Sequence, residues 1–195
     1  MTTLSHAHPR SESTSLGHGR AWIVALVIIA ATAATAFLGA RASIAAADFY
    51  AQLVRPNWAP PASWFGPVWT TLYVAMAVAA ILALAMARQP ARHRRVGETS
   101  QLDSRALGRL RIRAGMLYAA QLLANGLWSW FFFAWHNGVA AIVDVVILLI
   151  LIGLCVRSFL QISRPAGILL VPYFLWVTFA TALTIAITSN NRGLL

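Results

Sequence analysis

Apolar residues in this chain form long uncharged runs rather than the short alternating patterns of a water-soluble protein. The longest runs without a charged residue are 21–40, 56–87, 114–143 and 165–191, and one further apolar stretch, 139–156, is interrupted only by Asp144. A helix needs about 20 apolar residues to cross roughly 30 Å of hydrocarbon. The pattern therefore predicts an all-α membrane protein, a bundle of five transmembrane helices at residues 21–40, 63–87, 114–135, 139–156 and 166–188.

Polar residues mark the segments outside these spans. The first 20 residues are rich in Ser, Thr and His, a composition that predicts a disordered tail. Residues 21–191 then form the membrane domain, and residues 192–195 a short C-terminal end. His136, Asn137 and Gly138 predict a tight turn, which makes the third and fourth helices antiparallel neighbours. A signal peptide is the alternative interpretation of residues 21–40, because small residues follow a short apolar core.

The distribution of charge predicts the orientation. The chain is 59% hydrophobic and 10% charged, with a mean hydropathy of +0.70 and a net charge of +10. With alternating spans, the tail and the loops 88–113 and 157–165 share one side and carry twelve Arg, against three on the other side. The positive-inside rule places that side, with the N-terminus, in the cytoplasm and the C-terminus outside. No nucleic-acid-binding motif accompanies the charge, so no nucleic-acid partner is predicted.

One face of the third span is polar. Tyr118, Gln121, Asn125 and Trp128 follow one another at spacings of three, four and three, which places them on the same helical face. An unsatisfied amide in hydrocarbon costs several kcal/mol, so this face must contact protein, water or a ligand. Hydrogen bonds between helices and ligand binding both remain open.

Rings and small residues alternate in the fifth span. Tyr173, Trp176, Ala180 and Thr184 share one face, and an aromatic followed by a small residue one turn later forms a slot for a flat ring system or packs against a neighbouring helix. Pro172 is expected to kink this helix.

The second span carries Trp69, Tyr73 and Met76 on one face. The pair Ala36 and Ala40 in the first span is interpreted as helix packing.

Few residues offer other chemistry. Asp144 is an acid inside a span, and either a structural or a functional role fits it. Cys155 is the single cysteine, so no disulfide can form within the chain. The His and Cys residues lack metal-ligand spacing, and no metal site is predicted.

The most unusual segment precedes the second span. Residues 55–73 read RPNWAPPASWFGPVWTTLY, and their early prolines exclude a regular helix. In the predicted orientation the stretch 49–63 lies at the outer end of the bundle. It is interpreted as a lid over the mouth of the bundle or as an interfacial aromatic belt with a Pro-rich linker. The residues assigned to the lid are Tyr50, Arg55, Pro56, Pro60 and Pro61.

These motifs resemble those of the TspO/MBR family. The resemblance covers residues 21–191 and rests on five motifs in order: FYAQLVRP at 49–56, the segment 55–73, QLLANGLWSWFFF at 121–133, Asp144 and VPYFLWVTFATAL at 171–183. It implies a five-helix bundle, usually dimeric, that binds tetrapyrroles such as porphyrins or haem, sterols in some members, and benzodiazepine-like drugs. No cofactor is required. The expected partners are thus a small hydrophobic ligand, the lipid bilayer and a second copy of the chain.

The resemblance also implies a set of ligand-binding residues. We expect them to be Trp58, Phe65, Trp69, Tyr73, Gln121, Asn125, Trp128, Tyr173, Trp176 and Ala180. Thr184 stands where many members have Asn, and no basic residue follows Tyr173 closely enough for the sterol pattern of the animal proteins.

The resulting functional hypothesis is a multi-pass protein of a bacterial cell membrane that binds and transports tetrapyrroles or related flat ligands. Catalysis is not expected, because nucleophile–base pairs, metal sites and phosphate loops are missing from the sequence. The alternatives are a light- and oxygen-dependent porphyrin-degrading enzyme, and a regulator that acts through partners docking on the 88–113 loop.

Overall fold

The computed structural model describes the backbone of residues 12–86 and 99–195, and the side chains of residues 19–86 and 105–195. Within these ranges the chain is helical and contains no strand. Short 3₁₀ and π turns at Ala62–Trp64, Ile81–Ala85 and Trp130–Ala134 adjoin the α-helices. The α-helices are α1 (Glu12–Ala42), α2 (Ala46–Gln52), α3 (Phe65–Ala80), α4 (Thr99–Ser129), α5 (Gly138–Ile162), α6 (Arg164–Leu169) and α7 (Val171–Asn190).

Among the described residues, four helical segments are long and apolar enough to cross a membrane: Gly19–Ala42, Ala62–Ala85, Gly138–Ile162 and Arg164–Asn190. The remaining long helix, α4, is less apolar because its first half is rich in Arg and its second half contains Gln121 and Asn125. The predicted all-helical membrane architecture is therefore confirmed. The count of five spans and the direction of the termini stay predictions.

Several helices are longer than the uncharged runs predicted. α1 begins at Glu12, inside the predicted tail, and α4 begins at Thr99, inside the predicted loop 88–113. Residues 1–11 and 87–98 lie outside the described backbone. Ser163 alone separates α5 from α6, so the predicted 157–165 loop is wrong. An uncharged run marks only the apolar part of a helix, because Arg is a good helix former and its long side chain can reach out of the hydrocarbon.

The bundle is closed by neighbouring helices in a ring. α4 packs against α5, α5 against α7, and α1 against both α3 and α4, and α3 contacts α6 and α7. The tight turn at residues 135–137 makes α4 and α5 antiparallel, as predicted, and Asn137 caps α5 by accepting a 3.0 Å hydrogen bond from the Ala140 backbone N–H. His136 in this turn has a positive φ of 48°. A hydrogen bond of 2.7 Å between the Tyr118 hydroxyl and Thr32 Oγ1 joins α1 to α4. Because Thr32 donates its hydroxyl hydrogen to the Ile28 carbonyl, Tyr118 is the donor in this bond.

The last span is broken at Leu170, which separates α6 from α7 two residues before Pro172. Pro172 lacks the backbone N–H that a continuous helix would use at this point. The helix is therefore interrupted close to the residue at which the kink was predicted. α6 packs close against the end of α5, where Gly167 meets Leu160.

Replacing Gly167 by Ala is expected to destabilise the bundle. A Cβ at this position would lie 2.8 Å from the Leu160 backbone nitrogen, and backbone cannot move aside cheaply. Overpacking of this kind costs about 1–3 kcal/mol, which would lower the unfolding midpoint by roughly 3–10 °C for a chain of this size. Gly108→Ala is the control, because a Cβ there meets nothing within 4 Å. Equal midpoints for the two variants in detergent would contradict the prediction.

Candidate functional site

A buried hydrogen-bond network joins α3, α4 and α7 in the middle of the bundle. The Tyr73 hydroxyl donates to Asn125 Oδ1 at 2.6 Å, and Asn125 Nδ2 donates to the Tyr173 hydroxyl at 2.9 Å. The Tyr173 hydroxyl in turn donates to Gln121 Oε1 at 3.0 Å. Both amides of the predicted polar face therefore bond to tyrosines of other helices, which confirms the interhelical interpretation. An Asn amide has two hydrogens, and this network uses one of those on Asn125.

Beside the network lies a cavity of about 550 Å³, here called the main cavity, bounded by α1, α2, α3 and α4. One wall consists of small residues of α1 and α2. A second part of the lining, here called the aromatic wall, consists mainly of rings of α3 and α4, with Asn125 and Ser129 as polar groups. The small wall contains Ala36, Gly39, Ala40, Ser43, Ala46 and Ala47, and the aromatic wall contains Phe65, Trp69, Tyr73, Trp128 and Phe133.

A second space, here called the small cavity, lies toward α7 and has a volume of about 20 Å³. Trp176, Ala180 and Thr184 line it, so three of the four residues predicted to share a face of the fifth span line the same cavity. A volume of this size holds about one water molecule. The α7 slot inferred from the sequence is therefore filled by neighbouring side chains in this structure.

Aromatic side chains form the partition between the two cavities. Tyr50, Phe65, Trp69, Trp128 and Phe133 line both of them. Phe65 meets the Trp176 ring edge-on at a centroid distance of 6.2 Å, and Trp128 stacks on Phe132 at 5.4 Å. A rotation of these rings would change the size of both cavities together.

Two buried indole N–H groups lie in this region. Neither Trp128 Nε1 nor Trp176 Nε1 has a hydrogen-bond partner among the described residues. An unsatisfied buried donor costs about 1–3 kcal/mol. Each indole could therefore donate to an acceptor on a molecule bound beside it.

Residues 49–63, here called the covering segment, contribute Tyr50 and Ala62 to the lining of the main cavity. The Tyr50 hydroxyl donates to the Pro60 carbonyl at 3.1 Å, and the Arg55 guanidinium carbon lies 4.9 Å from the Tyr50 ring centroid. Burial raises the pKa of Tyr50, and the charge of Arg55 opposes this shift. The hydroxyl thus keeps its proton at neutral pH and remains a donor to Pro60.

The predicted site residues fall into three groups. Phe65, Trp69, Tyr73, Asn125 and Trp128 line the main cavity, and Phe65, Trp69, Trp128, Trp176 and Ala180 line the small cavity. Gln121 and Tyr173 are buried in the hydrogen-bond network and line neither space.

Trp58 is not brought to either cavity. It is 50% exposed and contacts Phe179 edge-on at 5.7 Å. Asp144 is buried in α5, and its Oδ2 atom has no partner within the described part of the chain.

Two parts of the site were missed from the sequence. Ala36 and Ala40 were interpreted as packing residues, and Gly39 and Ser43 were not noted, although all four line the main cavity. Asn191 was also missed, although its side chain binds the covering segment. An Asn near a helix end indicates a cap, and nothing in the local sequence predicts a contact with residues so distant in the chain.

Comparison with known proteins identifies the family. The sequence profile of the TspO/MBR family matches residues 22–189. The tryptophan-rich protein TspO of Chlorobaculum tepidum is 35% identical over 146 residues, covering 73% of this chain and 79% of that protein. The tryptophan-rich sensory protein of Cereibacter sphaeroides is 31% identical over 162 residues, 83% and 87% of the two chains. The human translocator protein is 30% identical over 176 residues, 88% and 92%. This protein therefore belongs to the TspO/MBR family of membrane proteins.

Proposed function

We propose that the protein binds a tetrapyrrole, such as a porphyrin or haem, in the main cavity. The observation that carries the proposal is the cavity itself, about 550 Å³ and lined by small residues of α1 and α2 and by rings of α3 and α4. Sites for small molecules typically measure about 300–1,000 Å³ and combine apolar walls with few polar groups. A flat macrocycle suits this lining, because small residues leave room for its plane and aromatic rings stack on it.

Polar groups at the edges of the cavity would orient the ligand. Asn125 and Tyr73 offer hydrogen-bonding atoms on the inner side, and Trp128 adds a buried donor. Arg55 is exposed on the covering segment and would meet a carboxylate that reaches the outer surface. A macrocycle with an apolar centre and anionic side chains would satisfy both ends of the site.

The proposed arrangement in the membrane is five spans, with α4 as the third and the N-terminus in the cytoplasm of a bacterial cell. The excess of Arg on one side supports this orientation. The names of the relatives, translocator and sensory protein, support roles in transport or sensing. Binding of the ligand is the step that these roles would share.

Titration with protoporphyrin tests the proposal. Purified protein in nanodiscs should show saturable quenching of Trp fluorescence, because Trp69 and Trp128 line the main cavity. Saturation should occur at one ligand per chain, since the proposal places one macrocycle in that cavity. Quenching that never saturates would indicate partition into the lipid and would overturn the proposal.

Illumination of the complex with and without oxygen, followed by mass spectrometry, tests the degradation alternative. Unchanged porphyrin under both conditions would exclude it.

Stiffness of the covering segment is expected to slow ligand release. Pro60 and Pro61 limit the backbone freedom of the open segment, so closure costs less entropy than it would for glycine. The double variant Pro60→Gly/Pro61→Gly should dissociate from protoporphyrin about fivefold faster with a nearly unchanged association rate. Stopped-flow Trp quenching measures both rates, with helix content by circular dichroism as the folding control. Equal dissociation rates would mean that the segment is only a linker.

A further inference from the structure

Asn191, directly after α7, binds the covering segment through its side chain. Its Oδ1 accepts from the Val54 backbone N–H at 2.8 Å, and its Nδ2 donates to the Val54 carbonyl at 3.0 Å. Asn191 is 6% exposed, and its two bonds to Val54 are partly buried. The amide thus pairs with both backbone polar groups of one residue, as a neighbouring strand would.

This pairing is important because the covering segment has little structure of its own. Residues 53–61 lie in neither helix nor strand. Pro56, Pro60 and Pro61 have no N–H to donate. Backbone bonds such as Ala59 N–H to the Pro56 carbonyl, at 3.0 Å, are local and do not hold the segment to the bundle.

A third bond holds the Asn191 side chain in place. Nδ2 also donates to the Ile187 carbonyl at 2.7 Å, one turn earlier in α7, and Ile187 lines the small cavity. The Asn191 amide therefore bonds both the last turn of α7 and the covering segment. The segment also packs against the bundle through apolar and aromatic side chains. Leu53 is buried in one cluster with Leu183 and Ile187 of α7, Phe49 stacks on His136 at 4.1 Å, and Trp58 meets Phe179 at 5.7 Å.

We propose that Asn191 is a positioning residue that holds the covering segment closed over the main cavity and thereby limits the rate at which ligand leaves. The inference rests on the proposed function for the ligand, but the closed state of the segment can be measured without any ligand. The Val54 N–H would exchange with solvent only when its hydrogen bond to Asn191 Oδ1 breaks. Ligand release would require the same opening.

Three variants separate this role from that of a helix cap. Asn191→Ala removes all three bonds. Asn191→Ser keeps a hydroxyl that can bond the Ile187 carbonyl one turn earlier, as Ser does in helices, but is too short to pair with Val54. Asn190→Ala is the matched control, because Asn190 is exposed at the end of the same helix.

Hydrogen exchange on the ligand-free protein is the first measurement. Exchange of residues 53–59 should rise about tenfold or more in Asn191→Ala and in Asn191→Ser, and stay unchanged in Asn190→Ala. Exchange in the middle of α5 should be the same in all of them. If residues 53–59 exchange at the wild-type rate in either Asn191 variant, Asn191 does not hold the segment and the inference is overturned.

The dissociation rate of protoporphyrin is the second measurement. We expect an increase of about tenfold in both Asn191 variants, with association rates within twofold of wild type. If Asn191→Ser releases ligand at the wild-type rate, Asn191 acts only as a helix cap and the inference that it limits ligand release is overturned. If wild-type protein does not bind protoporphyrin at all, the proposed function fails, and the exchange experiment alone still decides whether Asn191 holds the segment.

Discussion

Replacing Ala36 and Ala40 together by Leu is expected to weaken protoporphyrin binding roughly 30- to 150-fold. Both residues belong to the small wall of the main cavity, and two Leu side chains there would occupy the space in which we place the plane of the macrocycle. Forcing extra methylene groups into a filled site costs about 1–3 kcal/mol, and here two residues contribute. Trp quenching titrations in nanodiscs would measure the change.

The matched control for this experiment lies on the same helix. Ala33 and Ala34 are exposed on α1 and line neither cavity. Ala33→Leu/Ala34→Leu therefore adds the same two side chains without entering the site, and its affinity should stay within twofold of wild type. Leu and Ala are both good helix formers, so α1 should persist in both double variants. Equal affinities for the two variants would exclude the main cavity as the porphyrin site.

The membrane architecture could be predicted from the sequence because apolar length is a local property. Four of the five predicted spans correspond to helices that are long and apolar enough to cross a membrane. Helix ends were harder to predict. Arg157 lies within α5, which continues to Ile162, because a charged residue near the end of a span need not interrupt the helix.

The faces of the helices were also predictable, but their partners were not. Spacing placed Tyr118, Gln121 and Asn125 on one face of α4, and all three are buried. Tyr118 nevertheless bonds to Thr32 of α1, whereas the two amides bond to Tyr173 of α7. The periodicity of a single helix fixes which residues share a face, and the packing of the whole bundle decides which neighbour that face meets.

The small residues of α1 illustrate the same limit. A small side chain in a membrane helix permits close packing, and Ala36 and Ala40 were interpreted in that way. The cavity beside them is lined by residues of four helices, α1 to α4. An empty space is a property of several helices together, so no motif within one helix predicts it.

Trp69→Ala is expected to weaken protoporphyrin binding about 30-fold, whereas Trp176→Ala should change it by less than about threefold. Trp69 lines both cavities, and Trp176 lines only the small one. Loss of a stacked ring removes about 0.5–1.5 kcal/mol in addition to the apolar area that the ring buries, a total near 2 kcal/mol. Absorbance titration of the porphyrin avoids dependence on the mutated fluorophores, and circular dichroism controls for folding. A larger loss in Trp176→Ala than in Trp69→Ala would place the ligand beside α7, in a small cavity that opens on binding, and would overturn our assignment to the main cavity.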